Sequence, residues 1–315
     1  IRRYIMTSNR SAKEIKNRKI KKRKLKKRKR NKKVLKFLIG LLAIGLIGYG
    51  ANEMIFGSNS KKEEYQKIEE TDYLSKIPEE VRNSNDQLIK GLLEKVNEYP
   101  DVITILNNIE EYPRELLEFA EKKDEAIEFV ANYPNYYETK NEKISIKKEY
   151  KKGKIPHFIQ WDERWGYEKY GSEYMAISGC GPTSLAMVVV GLTGNTNINP
   201  KVIAEFSEEN GYVVDGVGSA WTLMSDGGEN FGLRSEELPL SEDFIIDTLK
   251  SGQPIIASMG PGTFTTSGHF VVLTGVDKNN RIIINDSDSK IRSEQTWDVD
   301  VFMKEADNLW TFTVM

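Results

Sequence analysis

Cysteine and histidine are nearly missing from this chain: its 315 residues hold one cysteine, Cys180, and two histidines, His157 and His269. One thiol forms no internal disulfide and no cysteine-based metal site, and no second histidine or thiol stands at ligand spacing from His157. No metal and no cofactor are therefore expected. Without a cysteine beside the apolar segment near the N-terminus, a lipid-modified cysteine anchor is excluded as well. Acidic residues are missing from one stretch in particular. Up to Lys36 there are 19 Lys and Arg against Glu14 alone, a charge of +18, while the other 27 basic and 46 acidic residues carry −19. A formal net charge of −1 hides these two opposite halves.

What the chain does have begins with that basic tail, residues 1–33. It runs into an uncharged, almost wholly apolar segment, and residues 34–56 reach about one bilayer thickness if Lys36 snorkels. This stretch reads as a single transmembrane helix, with the N-terminus cytoplasmic and the chain beyond Gly57 extracellular by the positive-inside rule. A basic run directly beside an apolar span favours anchoring on anionic lipid, so no nucleic-acid partner is expected. A cleaved signal peptide ending near Gly48-Tyr49-Gly50 is the competing reading. Residues 57–77 form a charged linker. In residues 78–149 three apolar faces at helical spacing follow: Leu88, Leu92 and Val96; Val102, Ile103 and Leu106; then Leu116, Ala120, Ile127 and Val130. Tyr99-Pro100, Tyr112-Pro113 and Tyr133-Pro134 punctuate them, and the segments are expected to pack together or against the remainder.

The remainder, residues 150–315, carries the chemistry. Cys180 stands in Gly179-Cys180-Gly181-Pro182-Thr183-Ser184, where Pro182 suits a first helical turn and Leu185, Ala186, Val188, Val189 and Leu192 continue as a helical stripe. A thiol at a helix N-terminus is either inertly packed or a nucleophile favoured as thiolate by the dipole. Its flanking glycines are read as room for a substrate backbone. A nucleophile needs a base, and His269 opens the strand His269-Phe270-Val271-Val272-Leu273. With Arg281–Asp286 this strand predicts an antiparallel hairpin. Pairing Val276 with Arg281 sets Asp288 opposite His269 and Asp286 diagonal to it on the same face, with Asn285 on the other. Asp286 is thus the preferred partner of the imidazole and Asp288 the reserve, whereas a loop longer or shorter by one residue selects Asn285. Gln160, taken singly, is an ordinary polar residue, but its amide also suits an oxyanion hole. His157 reads as a structural or surface histidine, and Asp286-Ser287-Asp288-Ser289 lacks the glycine and glutamate of a calcium loop.

The order Gln160, Cys180, His269, Asp286, with the phrases Gln160-Trp161-Asp162 and Gly268-His269-Phe270-Val271-Val272-Leu273, resembles the bacteriocin-processing, double-glycine peptidase-like family of papain-fold cysteine peptidases. The resemblance runs from about Lys154 to the end. It implies an α+β papain-like fold, a nucleophile helix on an antiparallel sheet, with Cys180 attacking, His269 as base and acid, Asp286 orienting it and Gln160 in the oxyanion hole. Ser287 departs from the proline that follows the acid in many relatives. No ATPase or six-helix transporter segment accompanies these motifs here, so leader specificity is not carried over. The expected protein is a membrane-anchored extracellular cysteine peptidase acting on a peptide or protein substrate, cell-wall peptide included. A peptidoglycan amidase or a non-catalytic surface binding module are the alternatives. The lack of disulfides and the richness in Lys, Ile and Asn fit a low-GC Gram-positive bacterium.

Overall fold

The structure, a computed structural model, describes residues 73–315. The basic tail, the expected transmembrane helix at 34–56 and most of the linker lie outside the described residues, and among the described residues no helix is long and apolar enough to cross a membrane.

The amphipathic segments fold as α1 (Gln87–Glu94), α2 (Asp101–Asn107), α3 (Arg114–Lys122) and α4 (Ile127–Ala131). Asp86 caps α1 by accepting the Leu88 N–H. Pro100 and Pro113 immediately precede α2 and α3, so they open helices as much as end them, where a missing N–H costs nothing. The third apolar face is not one helix. It breaks after Lys122 into a 3₁₀ turn, Asp124–Ala126, before α4 begins. Leu92, Val96, Ile105, Leu116, Ile127 and Val130 are fully buried between these helices. Their core runs on into Trp161, Tyr167 and Tyr174, and Phe129 stacks on Tyr167 at 4.2 Å between ring centroids. The helical layer is thereby docked on the segment that leads to Cys180.

The rest is α5 (Cys180–Thr193) and α6 (Pro200–Glu209) against one face of a six-stranded sheet, with α7 (Glu242–Lys250) and α8 (Val299–Glu305) against the other. Its strands are β1 (Leu233–Glu237), β2 (Ile255–Met259), β3 (His269–Val276), β4 (Ile282–Asp286), β5 (Thr296–Trp297) and β6 (Ala306–Val314). They lie in the order β1-β6-β2-β3-β4-β5, antiparallel throughout. Side chains alternate between faces, so Phe270 and Val272 meet α5 while Val271 and Leu273 join Ile245 and Phe302 on the opposite side. Both faces being covered explains why β2 and β3 are apolar runs without polar alternation. Helix α5 is buried all round from Gly181 to Val190 and stops at Gly194, whose φ of +73° only glycine adopts readily.

Candidate active site

Cys180 is the first residue of α5, with Pro182 inside the first turn. One turn further, the Ser184 hydroxyl donates to the Phe270 carbonyl at 3.3 Å and pins the start of α5 against the start of β3. His269 is the first residue of that strand, so the bond brings sulfur and imidazole together. The Nε2 of His269 lies 2.7 Å from Asp286 Oδ1, which leaves the Nδ1 edge for the thiol. Cys180 hydrogen-bonds the ring and adds to the pull of Asp286 toward its protonated form.

The hairpin reaches this geometry by an indirect route. At the turn, Val276 pairs with Ile282 and not with Arg281, because Asp277 N–H bonds the Arg281 carbonyl at 2.9 Å and closes the loop inside that pair. Left uncorrected, this register would bring Asn285 to the histidine's face. A bulge restores it: Thr274 and Gly275 together oppose Ile283, so Leu273 faces Ile284, Val272 faces Asn285 and Val271 faces Asp286. Asn285 points the other way, its amide donating to the carbonyls of Ile155 and Pro156.

Asp286 is fully buried and held on every side. Besides His269, Oδ1 accepts the Asp288 backbone N–H at 2.8 Å, and Oδ2 accepts Arg292 Nε at 2.5 Å. Burial alone would raise its carboxyl, but His269 and Arg292 outweigh burial and hold it well below the usual carboxylate range. Burial alone would likewise lower His269, yet the Asp286 carboxylate and then Cys180 push the imidazole well above its ordinary value of 6.5. Asp288, the reserve acid, instead pairs with Lys123 at 2.8 Å and with Arg292 at 3.1 Å.

Gln160 is buried beside the loop that leads to Cys180. Its Nε2 donates to the carbonyls of Ala176 at 2.9 Å and Ile177 at 3.2 Å, and its Oε1 accepts from Ser287 Oγ at 3.1 Å. In this state the amide tethers the chain just ahead of Cys180, and the longer bond to Ile177 is the one it could exchange for a substrate oxygen. The glycines flanking Cys180 do not open space for substrate as expected. A Cβ on Gly179 would stand 2.4 Å from the Met175 carbonyl oxygen, and one on Gly181 would stand 2.2 Å from Ser219 Oγ, so the protein's own chain fills both places.

The sequence profile of the Peptidase_C39 like family matches residues 152–314. The chain belongs to the Peptidase_C39-like family. Among solved structures it is similar to the peptidase domain of Streptococcus ComA, a bifunctional ABC transporter of a quorum-sensing pathway, at 20% identity over 44% of this chain and 93% of that one, with a TM-score of 0.35. A protein from Bacillus anthracis described as a C39-like peptidase is 16% identical over 56% of this chain and 99% of its own, with a TM-score of 0.31. A double-glycine-motif protease from an AMS/PCAT transporter, solved with a leader peptide, is 21% identical over 52% and 94%, with a TM-score of 0.31. No curated protein matches the chain.

Sequence reasoning missed several contacts around Asp286 in this C39-like domain. His157 donates through Nε2 to the Asp286 carbonyl at 2.7 Å, so it braces the acid's backbone, and burial lowers its imidazole. Ser287 answers Gln160 from both ends, since its carbonyl also accepts the Gln160 backbone N–H at 2.8 Å. Trp161 Nε1 adds a bond to the Asp288 carbonyl at 3.0 Å. The segment 157–161 is thereby laced onto 286–288. Arg292 had one signal in the sequence: Ser289 as an N-cap predicts a helical turn, Lys290–Ser293, that folds back on the two aspartates. The run read against a calcium loop has a guanidinium between its carboxylates.

Proposed function

We propose that this chain is a cysteine peptidase that hydrolyses peptide-type bonds through Cys180, anchored in the cell membrane by residues 34–56 with its catalytic domain outside. The observation that carries the reading is the imidazole of His269, tied by Nε2 to the fully buried Asp286 and turned toward the thiol at the head of α5. A thiolate and an imidazolium side by side form a ready nucleophile and acid. The sulfur attacks the carbonyl carbon, and His269 gives its Nδ1 proton to the leaving nitrogen as the C–N bond breaks. Water then attacks the thioester while His269 takes its proton, the C–S bond breaks, and the acid product leaves the thiolate restored. The Cys180 backbone N–H and the Gln160 amide are the donors assigned to the oxyanion.

Three measurements test this reading. Iodoacetamide is expected to alkylate Cys180 faster than free cysteine at mildly acidic pH, and ordinary cysteine reactivity would remove the main support for catalysis. Gln160→Ala is expected to lower kcat by about 10²- to 10³-fold with little change in KM, whereas a change confined to KM would assign Gln160 to substrate contact alone. Protease added to intact cells is expected to remove the chain beyond Gly57 and spare a reporter fused before Lys13. A free ectodomain with a new N-terminus near Ala51 would show a cleaved signal instead. Release of peptidoglycan fragments in a digestion assay would move the substrate to cell-wall peptide.

A further inference from the structure

We propose that Lys123 and Glu125, at the break between α3 and α4, are positioning residues that hold the acid Asp286 in place from the helical layer. The inference rests on the reading of Asp286 as the partner that orients His269. Its physical basis is the short turn Lys290–Ser293, which supplies Arg292 to Asp286. Four residues do not sustain a helical turn by themselves, and the first N–H groups of such a turn need acceptors from elsewhere. Those acceptors come from the helical layer. Glu125 Oε2 accepts the N–H groups of Lys290 at 2.8 Å and Ile291 at 3.2 Å, the former from 165 positions away in the chain. Its Oε1 accepts from Ser289 Oγ at 2.5 Å, and that oxygen in turn accepts the Arg292 N–H at 3.1 Å.

Lys123 closes the other side. Its ammonium meets Asp288 Oδ2 at 2.8 Å, with side chains only 16% and 21% exposed, so this pair is screened less than an ordinary surface salt bridge. Asp288 shares that oxygen with Arg292 and gives its backbone N–H to Asp286 Oδ1. From Glu125 and from Lys123, short chains of bonds thus end on opposite oxygens of the same carboxylate. Both residues precede the stretch matched by the family profile, which begins at residue 152, so they are an addition to its machinery. Both lie where the chain leaves α3, Lys123 as its C-cap in extended backbone and Glu125 in the 3₁₀ turn that follows.

The test uses the full 315-residue chain with ¹⁵N-labelled histidine, where His157 and His269 are the only imidazoles to resolve. The charged groups around the acid are His269, Arg292, Asp288, Lys123 and Glu125, with His157 at its carbonyl. Glu125→Ala is expected to move the His269 titration down toward the ordinary imidazole value and to lower kcat about tenfold with KM unchanged. Added to Asp286→Asn, it is expected to change neither quantity further, because the path it acts through is already cut. Glu125→Gln, which keeps an acceptor oxygen, is expected to recover most of the loss. A His269 titration indifferent to Glu125→Ala, or losses that multiply with those of Asp286→Asn, would overturn the proposal. Should Glu125→Ala fail to fold, Lys123→Ala carries the same cycle. If the wild-type chain hydrolyses no peptide, the functional reading fails, while the titration cycle still decides the positioning role.

Discussion

Cys180→Ala is expected to abolish turnover, a loss of about 10⁶-fold in kcat of the size seen when a covalent nucleophile is removed. The fold is expected to survive. The substitution deletes one half-buried sulfur at the end of a helix whose buried stretch begins at the next residue, and it leaves the Ser184 bond to β3 intact. The thermal midpoint is expected to stay within about 4 °C of the parent. A second readout separates loss of chemistry from general damage. The imidazole of His269 is held protonated partly by the cysteine, so its titration is expected to move down in the variant. Residual turnover near the parent level would end the assignment of Cys180 as nucleophile.

Asp286→Asn is expected to lower kcat by about 10⁴-fold, because the amide leaves the geometry in place but no longer favours the charged imidazole. Asp288→Ala and Asn285→Ala are expected to cost less, since Asp288 faces Arg292 and Lys123 and Asn285 faces the 155–156 backbone. Removing one partner of a buried ion pair also destabilises by about 3–5 kcal/mol. The pH dependence has a definite sign. The carboxyl of Asp286 is depressed on folding, so its stabilisation is present above the ordinary value of 3.8 and is lost as pH falls through the lower folded value. The imidazole of His269 is raised, so its stabilisation is complete below 6.5 and is lost as pH rises toward the higher folded value. Both are whole only between these limits, and the melting temperature is expected to decline above 6.5 in the parent and much less so in Asp286→Asn. The alkaline limb of kcat/KM, set by loss of the His269 proton, is expected to shift downward in the same variant.

The helix that starts at Cys180, the strand that starts at His269 and the pairing of Asp286 with the imidazole were legible because each depends on local pattern: an apolar stripe after Pro182, a β-branched run after His269, and alternation along two paired strands. The helical layer was legible for the same reason, through stripes such as Leu88, Leu92 and Val96. What escaped depends on contacts distant in sequence. Nothing local to Gly181 says that Ser219, from a later strand, occupies the space beside it. The lacing of Gln160 and Trp161 onto residues 287–288, and of Glu125 onto Lys290, follows from docking between segments that no periodicity links. Two local errors also cancelled, since the turn is closed one step differently from the simple pairing and Thr274 absorbs the difference.

That extra residue in β3 acts as a parity correction between a loop and a chemical group. The hairpin loop and the bulge set between them which side chain of β4 reaches the imidazole, and only their combination is constrained. Deleting Thr274 would leave Gly275 opposite Ile283 and Val271 opposite Asp286, whereas keeping it in a straight ladder would set Ser287 opposite Val271 and turn Asp286 to the other face. In relatives of this chain, a hairpin that lacks the extra residue is therefore expected to keep the same loop and the same acid, whereas one that keeps it in a straight ladder is expected to carry its acid one position further along β4.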